Sequence, residues 1–372
     1  MASQIQAHIL TPAGWLHGHI NVAEGRITGI EGTAQTEAQA RADTTRALLL
    51  PGFVDLHLHG GGGADTMDAG DAITRIAQLH ARHGTTSLLA TTMTAPLEEI
   101  EAALRALAPA CLQRAPGASR VLGVHLEGPY IHPERLGAQP PFARLPQLQE
   151  ILALHALAPI RVITLAPEAE GALALIPALV DAGMRVQVGH SAASYEQACQ
   201  ALQCGASGFT HLFNAMGPFH HRAPGAVGAA LAHAQQAEVI PDLLHVHPGA
   251  LHSALRAIPR LYAVTDSTAA AGMPDGDYRL GRQTVRKCRD GVRLADGTLA
   301  GSTLTMDQAL RNWVQLGLSL AEASLRTSTY AAQYLGLSDR GLLVPGAWAD
   351  AVLLRADTLQ IERVLVEGEW VA

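Results

Sequence analysis

Eight short apolar, β-rich runs recur along the middle of this chain, separated by Ala/Leu-rich stretches of helical character such as LEEIEAALRALAPACLQ (97–113). The runs are LLLPGFVDLHLH (48–59), TTSLLATTM (85–93), RVLGVHLEG (120–128), RVITLAPE (161–168), MRVQVGHS (184–191), GFTHLFNAM (208–216), EVIPDLLHV (238–246) and LYAVTDS (261–267). Strand–helix alternation produces a parallel sheet covered by helices. Eight repeats over roughly 290 residues fit a closed (β/α)8 TIM-type barrel better than the competing open, doubly wound sheet. The expected class is therefore α/β. Residues 1–46 and 340–372 read instead as short strands with turn glycines. They are expected to meet as a small β-sandwich domain, discontinuous in sequence, beside a catalytic barrel spanning 47–339. The Gly/Asp-rich stretch from Ala270 to Gly301 reads as an insertion or lid after the eighth strand.

Composition narrows the class further. Apolar residues make up 48% of the chain and charged residues 16%, a globular balance. A formal net charge of −7 without a Lys/Arg-rich run argues against a nucleic-acid or anionic-membrane surface. Cys111, Cys199, Cys204 and Cys288 form no CxxC, and no signal peptide is apparent, so a cytoplasmic location is expected. No apolar stretch reaches the ~18 residues of a membrane span. The 18 histidines invite a metal hypothesis that composition alone does not support.

Position supports it better. Active sites of these barrels lie at the C-terminal ends of the strands. The first run ends in His57-Leu58-His59, the third in Glu127, the fifth in His190, the sixth in His211 and the eighth in Asp266. Carboxylates are almost never fully buried unless paired or bound to metal, yet Glu127 ends a buried-looking strand. Each residue alone has a plain structural role open to it, as a core histidine or a helix cap. Imidazoles and carboxylates on strand ends of one closed barrel converge, however, and three such side chains plus water make a catalytic zinc site. His57 and His59 share a strand face and can reach one ion. The glycine run HGGGGAD (59–65) is no phosphate loop, since it lacks GK[ST], and reads as close-packed backbone at a crowded strand end.

PGFVDLHLHG, GVHLEGPY, VGHSAAS, THLFNAM, HRAPG, VTDS and LAGSTLTMDQALRN, in this order, resemble the amidohydrolase superfamily, and within it the N-acetylglucosamine-6-phosphate deacetylases. The resemblance implies that Glu127, His190 and His211 hold the principal divalent ion, most simply Zn²⁺, with Fe, Co or Ni as alternatives. It implies that His57 and His59 serve a second ion, and that Asp266 is the catalytic general base and acid for a metal-activated hydroxide. It places Asn214 and Ala215 near the sugar and its phosphate, Arg222 on the phosphate, and His245 on the reacting carbonyl. Arg222 and His245 can come from a neighbouring subunit in the family, which implies a homodimer. Three positions depart from the family pattern. Gln139 stands where a substrate-contacting histidine is usual, Leu243 replaces a glycine, and Ser267 replaces a common alanine.

The expected activity is metal-dependent deacetylation of N-acetylglucosamine-6-phosphate. An isomeric or unphosphorylated N-acetyl amino sugar, or an N-acyl amino acid, is the alternative substrate. A catalytically lapsed sugar-binding or regulatory protein is the alternative of another class. Loss of a ligand or of the general base would favour it, and all six candidates are present.

Overall fold

The computed structural model describes residues 3–289 and 291–371. The chain opens with a meander of three antiparallel strands, β1 (Ser3–Thr11), β2 (Gly14–Ala23) and β3 (Arg26–Gln35), and then places β4 (Leu48–Pro51) parallel to β1. Eight parallel strands follow: β5 (Phe53–Leu58), β6 (Thr85–Thr91), β7 (Arg120–Leu126), β8 (Ile160–Leu165), β9 (Arg185–Val188), β10 (Gly208–Phe209), β11 (Gln236–Val239) and β12 (Arg260–Ala263). Strands β5 to β10 form one sheet and β11 and β12 another. Short main-chain bonds join the two into a ring. Leu212 N–H donates to Glu238 O (2.9 Å), and Asp266 N–H donates to His57 O (2.8 Å). Every residue of β5 and β6 is buried, as a strand covered on both sides by other elements requires.

The run at 48–59 reads as one strand in sequence, but it is two strands in two sheets. Gly52 is the joint. A Cβ there would lie 2.3 Å from Thr86 Cγ2, so the chain crosses between the sheets where only glycine fits. The predicted insertion is a three-stranded antiparallel sheet, β13 (Gly276–Leu280), β14 (Gln283–Cys288) and β15 (Gly291–Arg293). It packs Leu280, Val285 and Val292 on Met93 and Ala270, over the C-terminal end of the barrel.

The last strands, β16 (Ala351–Leu354), β17 (Ile361–Val366) and β18 (Glu369–Trp370), complete the small domain. Its layers belong to one continuous seven-stranded sheet, ordered β18-β17-β16-β4-β1-β2-β3. Strand β3 and the turn before it close onto the segment leading into β16, with Ile27 N–H donating to Ala347 O (2.9 Å) and Ala349 N–H to Gly25 O (2.8 Å). Ile5, Ala7 and Ile9 alternate inward along β1 and meet Ile20, Val22, Leu49, Ala351 and Leu365 in a separate core.

Glu367, in the turn between β17 and β18, ties this sheet to the barrel. Arg120 grips its carboxylate through Nε and Nη2, both at 2.8 Å, and Arg114 adds a bond at 3.1 Å. Arg340 donates to it as well and pairs with Asp350. Burial works to raise the Glu367 pKa, but Arg120 and Arg340 outweigh it and hold the group at about 2. Its stabilising contribution is therefore complete above the ordinary carboxylate range and is lost as pH falls toward 2. Replacing Glu367 with Gln is expected to cost about 1.5–3 kcal/mol at pH 7, because it takes from Arg120 its carboxylate partner and leaves Arg114 and Arg340 with Glu369 and Asp350 alone. The gap between wild type and variant should shrink on acidification from pH 5 to pH 3. Denaturant unfolding across that range checks this, and a gap constant with pH would remove Glu367 from the account.

Candidate functional site

The predicted ligands all lie at or just beyond strand ends: His57 and His59 at β5, Glu127 at β7, His190 at β9, His211 at β10 and Asp266 at β12. The fold brings them together. Glu127 Oε1 lies 3.1 Å from His190 Nε2 and 3.0 Å from His211 Nε2, and those two nitrogens are 3.1 Å apart. Beside this trio, His59 Nε2 stands 3.2 Å from both Glu127 Oε2 and Asp266 Oδ1, and His57 Nε2 stands 3.5 Å from Asp266 Oδ1. Glu127 thus lies between two groups of ligand atoms, and all six residues are buried.

The outer ring nitrogens decide what the inner ones present. His190 Nδ1 donates to the Arg135 carbonyl (2.8 Å), His57 Nδ1 to Glu238 Oε1 (2.7 Å) and His59 Nδ1 to the Thr91 carbonyl (3.3 Å). A carbonyl or carboxylate only accepts, so each of these rings turns a lone pair inward at Nε2 when neutral. His211 Nδ1 is buried without a partner. Apart from His211, whose proton no neighbour fixes, the centre therefore consists of acceptors facing acceptors, an arrangement that favours positive charge among them. Titration tendencies agree. Burial disfavours charge on His57, but Glu127, Glu238 and Asp266 outweigh it and raise its pKa well above normal. His59 is lifted to about 9 against burial by its bonds to Asp266 and Glu127. Asp266 is held at about 2 despite burial, chiefly by His57 and His59. Histidine nitrogens and carboxylate oxygens spaced near 3 Å suit a divalent metal with bonds of about 2.0–2.2 Å.

The remaining predicted residues separate. His245, Asn214, Ala215 and Gln139 line a cavity of about 230 Å³ above the ligands, with Met93, Leu280 and Leu299 as apolar wall. His245 belongs to the same chain as the ligands it faces, so a neighbouring subunit is not needed to supply it. Its Nδ1 donates to Asp242 Oδ2 (2.7 Å). Asp242 Oδ1 in turn accepts the main-chain N–H groups of Leu244 (2.9 Å) and His245 (2.8 Å). That turn carries Leu243 at φ 66°, a left-handed conformation that a glycine would adopt without strain. Gln139 is engaged within the protein: its Nε2 donates to Glu127 Oε2 (2.6 Å) and its Oε1 accepts the Thr94 N–H (2.6 Å). Arg222 is exposed, bonded to neighbouring His221, and does not line the cavity. Ser267 donates to the Gly60 carbonyl (3.1 Å) and contributes to structure. Gly60 and Gly61 are close-packed as expected, since a Cβ on them would meet Ala64 O at 2.5 Å and Leu79 Cδ2 at 2.7 Å, whereas Gly62 and Gly63 have room for one and serve instead as turn residues at φ 61° and 77°.

Sequence reasoning missed Glu238 and Asp242. Glu238 is fully buried on β11, accepts from His57 and from the His211 main-chain N–H (3.0 Å), and so links two ligand strands. Its signal was available: a lone carboxylate in the apolar run EVI is the same anomaly that singles out Glu127. His8, His17 and Asp43 also converge, but the ring nitrogens of His8 are already bonded to Asp43 and Gln35.

A sequence profile of the amidohydrolase family matches residues 48–371. The chain is 42% identical over 373 residues to an N-acetylgalactosamine-6-phosphate deacetylase of Escherichia coli O157:H7, covering 97% of each sequence. It is 40% identical over 357 residues to an N-acetylglucosamine-6-phosphate deacetylase of Lysinibacillus sphaericus, covering 92% of each. A solved structure of a Mycobacterium smegmatis N-acetyl-D-glucosamine-6-phosphate deacetylase mutant in complex with N-acetyl-D-glucosamine-6-phosphate superposes with a TM-score of 0.91. That pair is 35% identical, with 100% of this chain and 99% of the other covered.

Because Glu127, His190 and His211 form the tighter trio, His190→Ala is expected to leave the purified protein without its principal ion. His57→Ala should lose at most one further ion. Elemental analysis of the two variants decides this, and complete metal loss in the His57 variant would show that the ligands are divided otherwise.

Proposed function

The chain belongs to the amidohydrolase family, and from that premise we propose that it hydrolyses the acetamide of N-acetylglucosamine-6-phosphate to glucosamine-6-phosphate and acetate. The observation that carries this reading is the convergence of Glu127, His190 and His211 on the floor of a cavity, with Asp266 beside them. A divalent ion held there by Glu127, His190 and His211, most simply zinc, would supply Lewis-acid activation of water and of the amide carbonyl. The chain's own groups do the rest. Asp266 stays ionised, so it can take the proton of the attacking water and pass it to the departing nitrogen. An amine leaves readily only when protonated. His245 is buried, which disfavours its charge, but Asp242 outweighs this and raises its pKa. In the charged form that this favours, its free ring nitrogen is a donor suited to the developing oxyanion.

The phosphate needs a cation, and among the described residues no Lys or Arg lines the cavity. Arg222, exposed on the loop after Asn214 and Ala215, is the candidate. We assign it to the cavity of a second copy in a homodimer, since its own side chain lies outside this one. The assignment is of a soluble, cytoplasmic enzyme, and among the described residues no helix is long and apolar enough to cross a membrane. A second reading, the galacto epimer of the same sugar phosphate, is favoured by the 42% identity to a deacetylase named for it.

Release of acetate from N-acetylglucosamine-6-phosphate, N-acetylgalactosamine-6-phosphate and free N-acetylglucosamine tests both readings in one assay. The gluco-phosphate should be turned over fastest, and inactivity on both phosphates would overturn the proposal. Asp266→Asn should retain the fold and lose on the order of 10²–10⁴ in kcat. Arg222→Ala should lower kcat/KM by roughly 10–100-fold on the phosphorylated sugar, the worth of a charge-assisted hydrogen bond, and leave the unphosphorylated one unchanged. Equal losses on the two sugars would reject the phosphate role.

A further inference from the structure

Gln139 sits where a substrate contact was expected, yet its polar atoms are turned to the protein. Its amide orientation is fixed without ambiguity. The Thr94 main-chain N–H can only donate, so the oxygen of Gln139 must face it at 2.6 Å. The NH2 end therefore faces Glu127 Oε2, also at 2.6 Å, and donates to it. Only 5% of Gln139 is exposed, so this bond is shielded from water.

The two oxygens of Glu127 are consequently unequal. Oε1 faces His190 and His211 at 3.1 and 3.0 Å. Oε2 faces the Gln139 amide and, at 3.2 Å, His59. The terminal torsion of a glutamate is broad and nearly two-fold, so an untethered carboxylate would turn. An amide donor stops that rotation without adding charge. We propose that Gln139 is a positioning residue that locks the Glu127 carboxylate, delivers Oε1 to the Glu127/His190/His211 site, and thereby sets that site's affinity for a divalent cation. This deepens the proposed function, resting on the assignment of that trio as the metal site. Residues that orient metal ligands typically govern affinity by 10–100-fold.

Two substitutions separate this role from its rivals. Gln139→Met keeps the volume and removes both bonds. Gln139→Glu keeps an oxygen for the Thr94 N–H but sets a second carboxylate against Glu127. The probe is Zn²⁺ added to metal-stripped protein in competition with a chromophoric chelator, alongside the unfolding midpoint of each stripped protein and KM for the sugar phosphate at saturating zinc. Zinc affinity should fall roughly 10–100-fold in the Met variant and at least as far in the Glu variant, with KM within about threefold of wild type. If Gln139 merely anchored the Thr94 loop, the Glu variant would bind zinc like wild type and only the Met variant would unfold more easily, which would overturn the proposal. Unchanged zinc affinity with a KM raised about tenfold or more would overturn it too, in favour of a direct substrate contact. Failure of wild type itself to take up zinc would instead sink the underlying metal assignment, a result visible before any variant is compared.

Discussion

Four imidazole nitrogens and two carboxylates face one another at the barrel mouth, and three of the rings, when neutral, turn only a lone pair inward. Burying that many acceptors in one place is unfavourable unless positive charge sits among them. Much of the surrounding structure keeps those atoms aimed inward. The Arg135 and Thr91 carbonyls and Glu238 fix the outer nitrogens of three rings. Beneath the centre, Glu238, Gln187, Thr210, Thr164 and His125 continue as a buried polar network. Burial drives the His125 pKa down to about 3, so it stays neutral and adds no competing charge.

This aim has a conformational cost. Of nine non-glycine residues with positive φ among those described, five belong to the site and its turns, His190, His211, Ala215, Leu243 and Asp266, and a sixth, Phe213, lies between two of them in sequence. Each such position costs on the order of 1–3 kcal/mol and persists only where neighbours over-determine it. Regular strands would point alternate side chains in and out of the barrel. Left-handed residues just past the strand ends redirect the ligands toward one point, and main-chain bonds such as Ser302 N–H to Asp266 O (2.7 Å) hold the turns in place. Asp242 does the same for Leu243 and fixes His245 at the same time.

Much of this was legible in the chain. Period and spacing revealed the eight strands, and apolar runs that terminate in His, Glu or Asp revealed the ligands, because strand ends in a closed barrel share one rim. What escaped has a common cause. The partner of His57 is Glu238, 181 positions away, and the pairing depends on which strands become neighbours across the ring. Gln139 sits in an irregular loop without periodicity, so its contacts with Thr94 and Glu127 could not be read from pattern. The run at 48–59 concealed two strands because a lone glycine interrupts an apolar series without altering its character. Arg222 shows the complementary limit, since motif context put it near the phosphate while the single chain leaves it facing outward.

The seven-stranded sheet is the union of two distant segments: β4 lies between β1, its early neighbour, and β16, which starts at Ala351. During synthesis, the side of β4 that will receive β16 stays unpaired while about 300 further residues are made. It is a short, wholly apolar edge, LLLP, ending in a proline that blunts it against stray strand pairing. Strand β16 can reach this edge only after all eight barrel strands have been made. A nascent chain stalled before residue 351 therefore presents an open hydrophobic strand to its neighbours.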